Sequence, residues 1–248
     1  MSLVELDLSG HVAVVQLNDP ARRNALSRDM VAELIATFDA IQAAKGVRAV
    51  VLCAQGSAFC AGADRALLAD ATAPADARAV LASIYEGFLR VARCEVPTIA
   101  AVDGPAVGAG MNLALACDLR IAGPRASFDP RFVQLGLHPG GGHTWLLQRL
   151  VSTQSAAAAV LFGQTLDAKA AWRSGLIFEI VASEGLTERA RALAGRAAEG
   201  DRELLERVKA TMADTRELHS LDEAVAREFD DQIWSITRSG SSDRLGGR

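Results

Sequence analysis

Two stretches of small residues carry the chemical interest of this chain. The first, Phe59-Cys60-Ala61-Gly62-Ala63-Asp64, follows an apolar run at 47–54. The second, Gly104-Pro105-Ala106-Val107-Gly108-Ala109-Gly110, follows another at 98–102. Where a buried strand hands over to a helix, backbone N–H groups are free, and residues without bulk let a ligand approach them. Two such loops can aim two main-chain donors at one oxygen, an oxyanion hole. The same composition also suits plain tight packing, and spacing alone leaves both readings open.

Other chemistries lose their signals. Gly108-Ala109-Gly110-Met111-Asn112-Leu113 ends in Leu where a dinucleotide fingerprint needs Gly or Ala. No phosphate-loop or serine-hydrolase motif is present. His138-Pro139-Gly140-Gly141-Gly142-His143 reads as a turn entering a helix at 143–150, not as a zinc pair, and no metal is expected. Cys53, Cys60, Cys94 and Cys117 are widely spaced without a CxxC pair, as suits small hydrophobes in a reducing compartment.

The elements that must position the loops follow from periodicity. Residues 3–8 and 11–17 read as strands around Ser9-Gly10, a hairpin signal. Ser27 caps a helix whose Met30, Val31, Leu34, Ile35, Phe38 and Ile41 keep helical spacing to about Ala44. The run at 47–54 is apolar throughout, as for a strand buried on both faces. A helix over 77–92, a strand over 98–102, a short helix over 108–117 and a strand over 119–122 repeat the alternation, which implies parallel pairing. Residues 183–238 read as successive amphipathic helices, with a frayed tail at 239–248.

The chain has 248 residues, half of them hydrophobic, enough for one sizeable core with a small appendage. Its 26 Lys plus Arg against 30 Asp plus Glu give a formal charge of −4, which removes the electrostatic case for a nucleic-acid partner. No run of about 18 apolar residues is written here, so no membrane partner is expected. The N-terminus has acids where a secretion signal needs a basic flank and an apolar stretch, so a cytoplasmic location is expected.

Five ordered blocks resemble the enoyl-CoA hydratase/isomerase (crotonase) superfamily. They are Asn18-Asp19-Pro20 with Arg23-Asn24-Ala25-Leu26; Ala58 to Asp64; Pro97 to Gly104 with its small-residue loop; Ala116-Cys117-Asp118-Leu119; and Leu135 to Gly142. The resemblance implies an α/β fold: a crotonase-like spiral of ββα turns over 1–185, and a helical C-terminal region over 186–248 that makes homotrimers or hexamers. It implies an acyl-CoA thioester ligand, with coenzyme A entering as part of the substrate and no separate cofactor. The thioester carbonyl would meet the N–H groups of Ala63 and Ala109, the latter usually Gly in the family. Arg22, Arg23, Ala25 and Leu26 would line the CoA side, the basic groups facing phosphate. Ala61, Asp64, Arg65 and Ala66 would run beside adenine and pantetheine, and Gly108 would belong to the substrate-binding residues. The family's further Lys- and Phe-bearing segment is not matched after Trp234, so that part of the site is expected to differ.

The pattern breaks at the two glutamates with which such hydratases handle water. The matching positions hold Asn112 and Phe132. Asn has no acid–base capacity near neutral pH and Phe has none at all. Two readings follow: a hydratase/isomerase-like enzyme with non-standard proton transfer, or a non-catalytic acyl-CoA carrier of the same fold. A structural oligomer with a vestigial pocket is a third. Candidate proton carriers are His138, against a structural turn histidine, and Asp129, against a helix N-cap before Pro130. Asp70 and Asp76 lie in a variable segment. Asn112 can orient a water or bind the acyl group, and Arg131 can offset a carboxylate or hold a polar acyl group, against a surface residue. Asp118 reads as structural.

Overall fold

The computed structural model describes residues 2–69 and 73–238; Asp70 and the 239–248 tail lie outside them. In chain order come β1 (Val4–Asp7), β2 (Val12–Leu17), α1 (Arg28–Ala43), β3 (Ala49–Ala54), α2 (Arg65–Ala69), α3 (Pro74–Ala92), β4 (Thr98–Val102), β5 (Pro105–Val107) and α4 (Ala109–Leu115). There follow β6 (Leu119–Ala122), β7 (Ser127–Asp129), α5 (His143–Leu150), α6 (Thr153–Val160), β8 (Leu166–Asp167), α7 (Ala168–Arg173), β9 (Glu179–Ile180), α8 (Leu186–Ala198), α9 (Arg202–Thr215) and α10 (Leu221–Thr237).

A six-stranded sheet runs β1-β2-β3-β4-β6-β9, and a three-stranded one runs β5-β7-β8. Only the β1–β2 hairpin is antiparallel in the larger sheet; every later pair is parallel, as the strand–helix alternation requires. The chain alternates between the sheets. β4 in the large sheet is followed by β5 in the small one and then α4, and β6 by β7 and then α5. This is the expected ββα recurrence. β5 and β7 were not legible as strands, because three residues hold too little alternation to show a period.

Local signals explain the helices. The Ser27 hydroxyl accepts from Met30 N at 3.2 Å and caps α1, whose buried face includes Met30, Val31, Leu34, Phe38 and Ile41. β4 is buried along its whole length, matching its unbroken apolar run. One core lies between α1, α3, α4 and one face of the sheet. The other face is covered by α8, whose Leu186, Ala190, Ala194 and Ala198 meet Val51, Ile99 and Ile121. Asp118 accepts from Thr98 N at 2.8 Å and from Lys209 Nζ at 2.6 Å, which ties α9 to the start of β4 and bears out its structural reading. All four cysteines are free and buried, and burial pushes the Cys60 and Cys117 thiols up to about 12.

Candidate active site

The two small-residue loops lie directly against each other. Cys60 N donates to Pro105 O at 3.2 Å and Val107 N donates to Cys60 O at 3.0 Å. The approach is close enough to exclude side chains. A Cβ on Gly110 would lie 2.2 Å from Cys60 O, and one on Gly62 would lie 2.6 Å from Val107 O. The Gly62 Cβ position is also only 3.7 Å from Ala109 N. The loops therefore pack backbone on backbone, which sets Gly62 beside the Ala109 amide.

Ala63 and Ala109 line one cleft of about 1020 Å³. Among the described residues, neither N–H donates to a backbone acceptor. At Ala63 the flanking groups take the pairing, with Leu26 N on Gly62 O and Asp64 N on Leu26 O. Ala109 is the first residue of α4, where the N–H has no partner one turn back.

The rim is set by Asn24, to which the sequence reading gave no role. Its side chain is buried; Nδ2 donates to Gln55 O and Ala58 O, both at 2.9 Å, and Oδ1 accepts from Asp19 N at 2.8 Å. Arg23 and Asn24 both adopt left-handed backbone, with φ of 51° and 55°. This folded-back loop puts Arg22, Arg23 and Ala25 on the cleft, beside Ala61, Asp64 and Arg65. Arg22 Nε donates to Asp19 at 2.8 Å, with Asp64 3.9 Å from its Nη1. Two expectations need correction. Leu26 turns wholly into the core, since neighbouring residues of an extended segment point to opposite sides, and Ala66, on the first turn of helix α2, is exposed away from the cleft.

A third correction concerns Asn112. It is buried behind the wall, not on it. Its Nδ2 donates to Gly140 O at 3.0 Å, and its Oδ1 accepts from His143 Nδ1 at 2.7 Å. That network assigns the His143 tautomer: Nδ1 carries the proton and Nε2 is bare. Nε2 is buried without a hydrogen bond, and burial pulls the His143 pKa down to about 4, so the ring is neutral at pH 7. Phe132 packs edge-on against this ring, 5.1 Å between centroids, and presents its own ring to the cleft. Both expected carboxylate positions are thus uncharged. His143 escaped the sequence reading because a histidine after three glycines carries no sign of its burial.

Asp129 and His138 both line the cleft. Asp129 ends β7, its Cα opposite Val107, and its carbonyl accepts from Gly108 N at 2.8 Å. Its carboxylate accepts from Arg131 Nε at 2.8 Å and from Nη2. No helix starts at Pro130, so the N-cap reading does not hold. Arg131, also on the cleft, has a φ of 57°, a left-handed conformation that turns its guanidinium back onto Asp129. His138 is exposed, with Nδ1 bonded to Pro139 O at 2.7 Å. Asp76 is exposed in the first turn of α3 and off the cleft. Part of the lining is apolar: Val80, Leu81 and Ile84 of α3 contribute with Phe132, and Tyr85 adds a phenol. Among the described residues no group of three or more His, Cys, Asp or Glu stands close enough to hold a metal ion.

The model of the family Enoyl-CoA hydratase/isomerase matches residues 7–244. The chain belongs to this family. It is 51% identical over 220 residues to the protein named probable enoyl-CoA hydratase EchA14 of Mycobacterium tuberculosis, covering 88% of this chain and 84% of that one. To a probable enoyl-CoA hydratase of Rhodobacter capsulatus it is 40% identical over 200 residues, covering 79% and 76%. The crystal structure of an enoyl-CoA hydratase from Bacillus anthracis superposes with a TM-score of 0.91 at 29% identity, covering 99% of this chain and 94% of that one. One from Mycobacterium smegmatis gives 0.92 at 27%, covering 99% and 95%. The crotonase fold expected from the motifs is therefore the fold of this chain.

Proposed function

We propose that this crotonase-family chain is an acyl-CoA hydratase/isomerase-like enzyme that works through a thioester enolate. Removing the proton alpha to a thioester puts charge on its carbonyl oxygen. Two fixed donors at that oxygen lower the barrier, each by ~3–4 kcal/mol by analogy with side-chain donors. The observation that carries this reading is the pair of unspent N–H groups, Ala63 and Ala109, on one cleft. Arg22, Arg23 and Arg65 at the rim supply cations for the phosphates of CoA, which arrives as part of the substrate.

Asp129 is the proton carrier that the geometry favours. Asp129 lines the cleft with its side chain nearly buried, its carboxylate is held by Arg131, and it belongs to the strand paired with the Val107–Gly108 backbone next to Ala109. The uncharged pair Asn112 and Phe132 supports the second reading, a non-catalytic acyl-CoA carrier. Losing a general acid–base group costs ~10²–10⁴ in rate. Incubation with unsaturated, hydroxy and aromatic acyl-CoAs, followed by mass spectrometry and calorimetry, separates the two. Product formation that falls in Asp129→Asn supports the enzyme; binding without product supports the carrier; no binding refutes both.

The C-terminal helices support oligomer formation. α9 and α10 expose Val208, Met212, Val225, Phe229, Ile233 and Ile236, an apolar surface that a trimer or hexamer would cover. Sedimentation showing a monomer at micromolar concentration would refute this.

A further inference from the structure

With both glutamate positions uncharged, the only tyrosine in the chain, Tyr85, puts a phenol on the cleft, which Ser57, Ser127 and Thr165 also line. Tyr85 sits on α3, one turn before the fully buried Phe88, and its ring packs 5.7 Å from that ring. The diglycine turn is shaped around it. A Cβ on Gly140 would lie 2.1 Å from the Tyr85 hydroxyl oxygen, and one on Gly141 would lie 3.1 Å from its ring. Gly140 is also where Asn112 spends its amide, so it is contacted by both Asn112 and the phenol. Of the two, only Tyr85 lines the cleft.

The phenol is protonated at neutral pH, since burial raises its pKa, with an opposing contribution from the Gly141 backbone amide. Among the described residues no group accepts the phenol proton, so the hydroxyl keeps a donor for whatever fills the cleft. The neighbouring wall, Val80, Leu81, Ile84 and Phe132, offers an acyl chain only apolar contact.

We propose that Tyr85 is a specificity-determining residue that donates a hydrogen bond to an oxygen on the acyl chain, beyond the thioester carbonyl, and so selects hydroxy- or oxo-acyl thioesters over unsubstituted ones. This rests on the acyl-thioester reading above. A donor that loses water on binding and finds no acceptor in the ligand opposes binding, which is how one hydroxyl discriminates between chains of similar shape.

Isothermal calorimetry with 3-hydroxybutyryl-CoA, acetoacetyl-CoA and butyryl-CoA tests it. The wild type is expected to bind an oxygenated thioester about tenfold tighter than butyryl-CoA. Tyr85→Phe should erase that preference while keeping the butyryl-CoA affinity. Gly140→Ala, which drives the hydroxyl out of place without removing it, should erase it too. Equal affinities for all three ligands in the wild type, or a preference that survives Tyr85→Phe, would overturn the assignment and leave the acyl-CoA reading standing. Failure of the wild type to bind any of the three would overturn both.

Discussion

Replacing Gly110 by alanine sets two opposed effects against each other. Alanine is the better helix former by about 1 kcal/mol, and residue 110 is in the first turn of α4. The added methyl, however, would lie 2.2 Å from Cys60 O and 2.8 Å from Cys60 C. Ordinary contact begins near ~3.4 Å, so the loops must part by roughly 1 Å or more, and the obstacle is main chain that cannot rotate aside. Overpacking of this kind costs ~1–3 kcal/mol, which cancels or exceeds the helical gain. The functional effect is the larger one. Ala63 and Ala109 are brought together by this contact, and a misplacement of about 1 Å costs ~10²-fold in rate. Gly110→Ala is therefore expected to melt within a few degrees of the wild type or below it, yet lose about a hundredfold in turnover of whichever acyl-CoA the screen identifies. Gly10→Ala, with nothing within 4 Å of the new methyl, is the control and should match the wild type in both. Wild-type turnover in Gly110→Ala would refute the argument that loop contact aligns the two amides.

Three more outcomes are expected. Asn24→Ala leaves Gln55 O, Ala58 O and Asp19 N without their partner and should cost ~2–4 kcal/mol in urea unfolding, with CoA affinity falling as the arginine rim loosens; an unchanged midpoint would contradict the role given to Asn24. His143 has a folded-state pKa of about 4 against 6.5 for the free side chain, so between these values the unfolded chain binds the extra proton and stability falls with falling pH. The loss should approach about 3 kcal/mol by pH 4, and His143→Gln should flatten that part of the stability–pH curve; parallel curves would refute a neutral buried imidazole. Asp129→Asn should lower turnover by ~10²–10⁴ while leaving acyl-CoA affinity within a few-fold, and an unchanged rate would remove Asp129 from the proton path.

The longer strands and helices up to β6 and the family were legible in the sequence because both rest on local pattern. The Ser27 cap, the α1 stripe and the unbroken apolar runs of β3 and β4 declare themselves within a few residues, and the small-residue loops mark where the strands end. The departure at positions 112 and 132 was also visible, since residue type alone decides whether a carboxylate is present. Where those side chains go was decided only by the tertiary structure. Asn112 turns away from the cleft because Gly140 and His143, about thirty residues on, offer partners for both ends of its amide. Leu26 is taken into the core although its neighbour Ala25 faces the cleft, and Tyr85 gains its place from glycines in a distant turn. Such contacts pair residues far apart in the chain, and hydrogen-bond satisfaction and close packing leave no local period to read. Sequence determines which groups are present; the folded packing determines which of them still have a donor or a charge to offer a ligand.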